Sequence, residues 1–172
     1  MRHVMLDLET MGTAPGSAII QIGAVDFSIY KIGEPFSVNI DLASCVNAGL
    51  RIDPGTVMWW MKQDDTARKS LSENCIPVKD AIQSFTDWIG NDEVAIWGDG
   101  ATFDNVLLSS SYRALRMRQP WKYINDRCYR TLKNLFPVER ILSDIPHNAA
   151  ADAVSQSKQM QAIIAKYGVR IE

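Results

Sequence analysis

The stretch VMLDLETMG (residues 4–12) sets two carboxylates, Asp7 and Glu9, into an otherwise apolar segment near the start of the chain. The apolar residues predict a core strand, and successive side chains of a strand point to opposite faces. Asp7 and Glu9 therefore share one face, and Leu6 and Leu8 the other. Two ionised carboxylates about 4–6 Å apart repel by about 3 to 4 kcal/mol at an effective dielectric of about 20. A fold that accommodates this strand must bring water or a cation to that face.

The pattern around the strand predicts a mixed α/β sheet. Residues 18–27 (AIIQIGAVDF) and 37–40 (SVNI) are β-branched runs separated by Gly33, Glu34 and Pro35, which reads as an antiparallel meander of three strands. Asp53-Pro54 is a helix start that continues through TVMWWMK, and a second helix begins at Pro77. There Val78, Ala81, Ile82, Phe85, Trp88 and Ile89 follow helical spacing up to Gly90. VAIW (94–97) predicts a short buried strand, followed by a helix over 102–115. KYIND (122–126) predicts another strand, then a helix over 127–135 that Pro137 ends and a loop over 138–148. The last helix runs over 149–167, with Val154, Met160, Ile163, Ile164 and Tyr167 on or near one stripe and Gly168 as its stop. Strands first, then alternating helix and strand, give a sheet flanked by helices.

A chain of 172 residues that is 47% hydrophobic and 22% charged reads as one domain, residues 1–172. Neither a signal peptide nor a membrane span is recognisable, and the three scattered cysteines suggest no disulfide framework or structural zinc; a cytoplasmic location is expected. A net charge of −2 argues against coating nucleic acid by bulk electrostatics. The charge is nevertheless uneven: Arg113, Arg116, Arg118, Lys122, Arg127, Arg130 and Lys133 fall in one segment whose only acid is Asp126. Such a run is either a solvated surface or a phosphate track.

In α/β sheets chemistry gathers where strand ends meet helix starts. Asp7 and Glu9 lie on the first strand, Asp104 just inside the helix after VAIW, and Asp152 in the first turn of the final helix. A lone D-x-E on an exposed strand face, or a lone first-turn aspartate favoured by the helix dipole, needs no catalytic duty. Taken together the four carboxylates have no matching Lys or Arg, which calls for hard divalent cations with oxygen ligands, Mg²⁺ or Mn²⁺. Two such ions are the usual arrangement for phosphoryl displacement by water. His147, in the loop five residues before Asp152, suits a general base for that water, whereas His3 begins a strand and reads as structural or exposed.

Asp7-x-Glu9, Asp104 and His147-x-x-x-x-Asp152, in that order, resemble the DEDDh exonucleases of the ribonuclease H-like superfamily. LDLETMG (6–12), TVMWWMKQ (56–63), WGDGATFDN (97–105) and NDR-x-x-RTL (125–132) resemble its phage and prophage DexA-like exodeoxyribonuclease branch. The resemblance implies a five-stranded mixed sheet with the first three strands antiparallel. It implies metal-dependent 3′ to 5′ hydrolysis from the 3′ end of single-stranded nucleic acid, DNA by the nearer branch and RNA by other members, releasing nucleoside 5′-monophosphates. Asp7, Glu9, Asp104 and Asp152 would hold two Mg²⁺ or Mn²⁺ ions, with His147 as general base, and a homodimer is a weaker implication. A non-catalytic binding module on the same fold is the competing class, and it would call for erosion of the acid set. Two departures touch the surroundings: Cys128 stands where related sequences often have aspartate, and Asp99 where they often have asparagine.

For substrate contacts, Trp59 and Trp60 point about 100° apart on one helix. One can pack inward while the other stacks on a base; the alternative is that both serve the core or a dimer contact. Thr10 and Met11 sit where relatives contact the terminal nucleotide, Phe103 can stack beside Asp104 or belong to the core, and Arg116 and Arg118 lie on the basic segment.

Overall fold

In the computed structural model, which describes residues 1–145 and 147–171, the β-branched runs form strands β1 (Arg2–Thr10), β2 (Ile19–Phe27) and β3 (Phe36–Asn39). They pair antiparallel, and β4 (Val94–Gly98) and β5 (Asp126–Cys128) add in parallel on the other side of β1, giving the order β3-β2-β1-β4-β5. This is the expected ribonuclease H-like five-stranded sheet.

The central strand β1 is sandwiched, and its alternation decides what each face holds. Val4, Leu6 and Leu8 enter one core with helices α4 (Val78–Ile89) and α5 (Asp104–Ala114); Met5 enters the other with α6 (Tyr129–Leu135) and α7 (Ala149–Tyr167). Asp7 and Glu9 follow Met5, so they face α7. The rest of the helical layer is α1 (Leu42–Asn47), α2 (Pro54–Trp60) and α3 (Asp65–Ser70).

Two expectations need correction. The sequence pattern predicts neither α1 nor α3, although Asp41 and Asp64 cap them by accepting from backbone N–H groups of Ala43, Ser44 and Thr66. Six residues are too few to display helical periodicity, so only the caps could have signalled them. KYIND is not a strand: Tyr123–Asn125 is a 3₁₀ turn with Tyr123 and Ile124 exposed, and pairing with β4 starts only at Asp126 opposite Ile96. Asp126 itself is structural, its Oδ1 accepting from Asn105 Nδ2 at 2.9 Å and Trp121 Nε1 at 2.9 Å. The expected loop has no helix or strand over 138–145; its Pro146, and Glu172 at the end of the expected domain, lie outside the described residues. Among the described residues no helix is long and apolar enough to cross a membrane.

The docking of α7 places Asp152. Its first turn lies against β2 at Gly23, which pairs with Asp7; a Cβ there would stand 2.0 Å from the Ala149 carbonyl carbon. Gln21, on the same strand, accepts the Ala149 N–H at 2.7 Å, and Asn148 Oδ1 accepts that of Ala151 at 3.0 Å. The helix meets the sheet through small residues, with Ala149, Ala153 and Ser157 fully buried. Of the predicted stripe, Met160 and Ile163 are buried, Val154 and Ile164 pack partly against the same core, and Tyr167 is exposed. Gly23→Ala is expected to push α7 outward, costing roughly 3 kcal/mol in urea unfolding and most of the activity, because Asp152 moves with the helix.

Candidate active site

Strand β4 ends at Gly98, opposite Leu6 of the parallel β1, which runs on to Thr10, and after a short turn the chain leaving β4 enters α5. Asp104, the first residue of that helix, is 2% exposed and sits against Gly98, where a Cβ would lie 3.0 Å from the Asp104 Cβ. From the opposite face α7 brings Asp152 one turn inside its Asn148 cap. Carboxylate oxygens of Asp7, Glu9 and Asp152 lie within 4.8 Å of one another, and Asp104 completes the group as a charge felt by both Asp7 and Glu9.

Burial raises all four carboxyls, and neighbouring acids add to the rise of Asp7, Glu9 and Asp104. Asp7 stands well above the usual carboxylate range, from burial first and then from Asp104, Glu9 and Asp152; the Gln156 amide, donating to Asp7 Oδ1 at 2.7 Å, pulls the other way. Burial, then Asp152 and Asp104, push Glu9 up to about 8. Asp104 is pushed up to about 7 by burial and by Asp99, against the backbone N–H groups of Leu8 and Asp104. Asp152 is raised by burial, opposed by the Ser143 hydroxyl, His147 and Arg140. Among the described residues none of the four forms an ion pair with Lys or Arg, and Asp104 Oδ2 is buried with no hydrogen-bond partner. An all-oxygen donor set with an orphaned buried oxygen fits divalent cations of the magnesium or manganese class.

His147 has a left-handed backbone, φ 58°, immediately before the Asn148 cap. That conformation is unusual for a non-glycine residue. It is held by its N–H, which faces the Asp152 carboxylate, and by its ring, packed edge-on against Trp59 at 5.2 Å and Trp60 at 5.9 Å between centroids. The adjacent tryptophans thus divide their work. Trp60 is 5% exposed and donates from Nε1 to the Thr10 carbonyl at 2.9 Å, while Trp59 is 43% exposed.

Trp59, Trp60, Thr10, Phe103 and His147 line a chamber of about 700 Å³ whose floor is Asp7, Glu9 and Asp152. Phe103 also packs against the core beneath α5, in keeping with its core reading. Two expected contacts lie elsewhere. The register of β1 against β2 shifts between Glu9 and Thr10, and Met11 beyond it packs with Ile20 and Trp60 in a separate apolar groove. Arg116 lies past the C-terminal end of α5. It is twelve residues from Asp104, about 18 Å along a helix axis, and Arg118 is more distant still in sequence.

Two residues not expected from the sequence, Gln156 and Arg140, belong to the surroundings, together with Asp99, which the sequence marks as a departure. Gln156 is one helical turn beyond Asp152, and that i, i+4 spacing was the available signal. Asp99 anchors two cations, with Arg130 Nε at 3.3 Å and Lys133 Nζ at 2.8 Å, and Arg130 also donates to the Asp99 carbonyl. The charge that Asp99 adds at the mouth is thereby offset. Arg140, in the loop before His147, faces Asp152.

The family model for a 3′-5′ exoribonuclease Rv2179c-like domain matches residues 2–164. Among curated proteins, the exodeoxyribonuclease of Enterobacteria phage T4 is 24% identical, the match covering 76% of this chain and 70% of that protein. Among solved structures, the zinc-bound E. coli ExoI–ssDNA complex is similar with a TM-score of 0.71 at 14% identity, over 97% of this chain and 41% of the other. The nuclease domain of 3′hExo, a DEDDh family member bound to rAMP, has a TM-score of 0.66 at 13% identity, over 99% and 96%. At such identities the structures establish a shared fold, and this chain spans about two fifths of the E. coli enzyme.

Proposed function

This chain belongs to the Rv2179c-like 3′-5′ exoribonuclease domain family and has the DEDDh exonuclease fold, and from that premise we propose that it removes nucleoside 5′-monophosphates from the 3′ end of single-stranded nucleic acid by metal-assisted hydrolysis. The convergence of Asp7, Glu9, Asp104, His147 and Asp152 beside an aromatic chamber carries this reading.

Asp7, Glu9, Asp104 and Asp152 would hold two Mg²⁺ or Mn²⁺ ions, which when bound neutralise the carboxylates, polarise the scissile phosphate and stabilise the departing oxygen. His147, fixed by the two indole rings, takes the proton of the attacking water as the new P–O bond forms and the bond from phosphorus to the 3′-oxygen of the preceding nucleotide breaks, leaving that nucleotide with a 3′-hydroxyl. Gln156 holds one oxygen of Asp7 and leaves the other for the ion. Trp59, half exposed at the chamber wall, offers its face to the terminal base, whereas Trp60 seats His147.

The sugar has two readings, each resting on one comparison. The phage T4 relative is an exodeoxyribonuclease and favours DNA, while the description of the matching family favours RNA. Incubating 5′-labelled DNA and RNA oligonucleotides with Mn²⁺ or Mg²⁺ tests both; the expected result is a ladder shortened from the 3′ end, with the faster substrate naming the sugar. Intact substrates of both kinds would defeat the proposal. In the same assay Trp59→Ala is expected to raise KM by roughly tenfold, as one lost base stack contributes about 1–3 kcal/mol, and to lower kcat as well, because the same ring packs against His147. Light scattering tests the homodimer that the resemblance implies.

A further inference from the structure

A second chamber, of about 400 Å³, opens on the other side of the acids and shares Asp7, Asp99, His147 and Asp152 with the aromatic one. Its character is different: Lys133, Arg140, Tyr129, Ser143 and Gln159 supply its walls. Tyr129 is 1% exposed, yet its hydroxyl has no hydrogen-bond partner among the described residues. Lys133 Nζ is steered by Asp99 Oδ2 at 2.8 Å and lies 5.0 Å from the centre of the Tyr129 ring. Arg140 forms no ion pair among the described residues. A buried orphan hydroxyl in a chamber lined by two cations is suited to an oxyanion.

We propose that this chamber is a phosphate subsite, formed by Lys133, Arg140 and Tyr129, for the linkage one nucleotide 5′ of the scissile bond. The inference rests on the exonuclease reading above. If the 3′-terminal nucleoside occupies the aromatic chamber and its phosphate meets the acids, the preceding nucleotide leaves on the far side. Two cations stand there, Lys133 held on Asp99 and Arg140 without an ion pair among the described residues, whereas the one Lys or Arg among the described residues lining the aromatic chamber is Arg130, also held on Asp99. The structure therefore narrows the basic segment to its last member, Lys133, and adds Arg140 from outside it. The enzyme would prefer substrates with at least two phosphodiester linkages.

The test compares a trinucleotide with the p-nitrophenyl ester of thymidine 5′-monophosphate, which has nothing upstream of the scissile phosphate. In Lys133→Gln/Arg140→Gln protein the ratio of kcat/KM for trinucleotide over ester is expected to fall about tenfold. A neutral methylphosphonate at the upstream linkage should reproduce that loss in the wild type and add little in the double variant. Anisotropy of a labelled trinucleotide on the His147→Ala background reads binding without turnover; there the double variant should flatten the salt slope by about 0.7, the contribution of one single-strand phosphate. An unchanged ratio, an unaffected methylphosphonate substrate or an unchanged salt slope would each overturn the subsite. Failure of wild-type protein to hydrolyse any substrate overturns the exonuclease reading instead, and Arg116→Gln/Arg118→Gln serves as the variant expected to leave the ratio intact.

Discussion

Asp7→Asn protein should fold as the wild type does and hydrolyse oligonucleotides at least about 10³-fold more slowly, a barrier increase of about 4 kcal/mol or more. Asp7, like Asp152, lines both chambers and belongs to the close group with Glu9. The amide keeps its shape and can still accept from Gln156, so the change removes charge with little disturbance of packing. Mn²⁺ affinity by calorimetry should fall at least tenfold in parallel. Loss of His147 should cost less than Asp7→Asn does in the same assay, falling within the roughly 10²- to 10⁴-fold contribution of a general base, because water can replace a base more readily than a neutral oxygen can replace a charged ligand. Retention of more than a tenth of wild-type activity by Asp7→Asn would remove Asp7 from the metal site.

The same crowding should make the metal-free protein lose stability as pH rises. Glu9 is near 4.5 in its ordinary state and about 8 in the fold, so folding favours its protonated form. A carboxyl raised in this way costs nothing below its unfolded value; the penalty grows as pH rises from about 4.5 and levels off above about 8. Asp104, pushed up to about 7, acts in the same direction over a lower range. Across that pH window the penalty accumulates at about 1.4 kcal/mol for each pH unit, so Glu9 alone represents a few kcal/mol. In the presence of EDTA, Tm should therefore fall by roughly 5–15 °C between pH 5 and 8, and Mg²⁺ or Mn²⁺ should recover most of the loss at pH 8. Glu9→Gln should flatten the metal-free profile and raise Tm at pH 8 while abolishing hydrolysis. A flat wild-type profile in EDTA would mean that the acids are not crowded as described.

The family set is legible in the sequence because its members are chemically costly. Four carboxylates at strand ends and helix starts have few reasons to coexist, and His147 and Asp152 are close enough in the chain for one loop and one cap to place both. The sheet is legible because β1 to β4 have strong β-branched or apolar runs. Helices α1 and α3 are not, because six residues carry caps but too little periodicity. Met11 falls outside the chamber because strand alternation does not continue past a register shift that only pairing with β2 creates.

By itself the sequence determined which face of β1 carries Asp7 and Glu9, since alternation is a property of the extended backbone, and it determined the helix starts that hold Asp104 and Asp152. Only the tertiary structure decided that Trp60 turns inward and Trp59 outward, because that choice depends on the Thr10 carbonyl and the His147 ring, both distant in sequence. It also decided which cations reach the acids. Arg116 and Lys133 look alike in a basic run, but one lies beyond the far end of α5 and the other is held on α6 by Asp99, just past β4. Charge along a chain carries no direction until packing orients the elements that bear it.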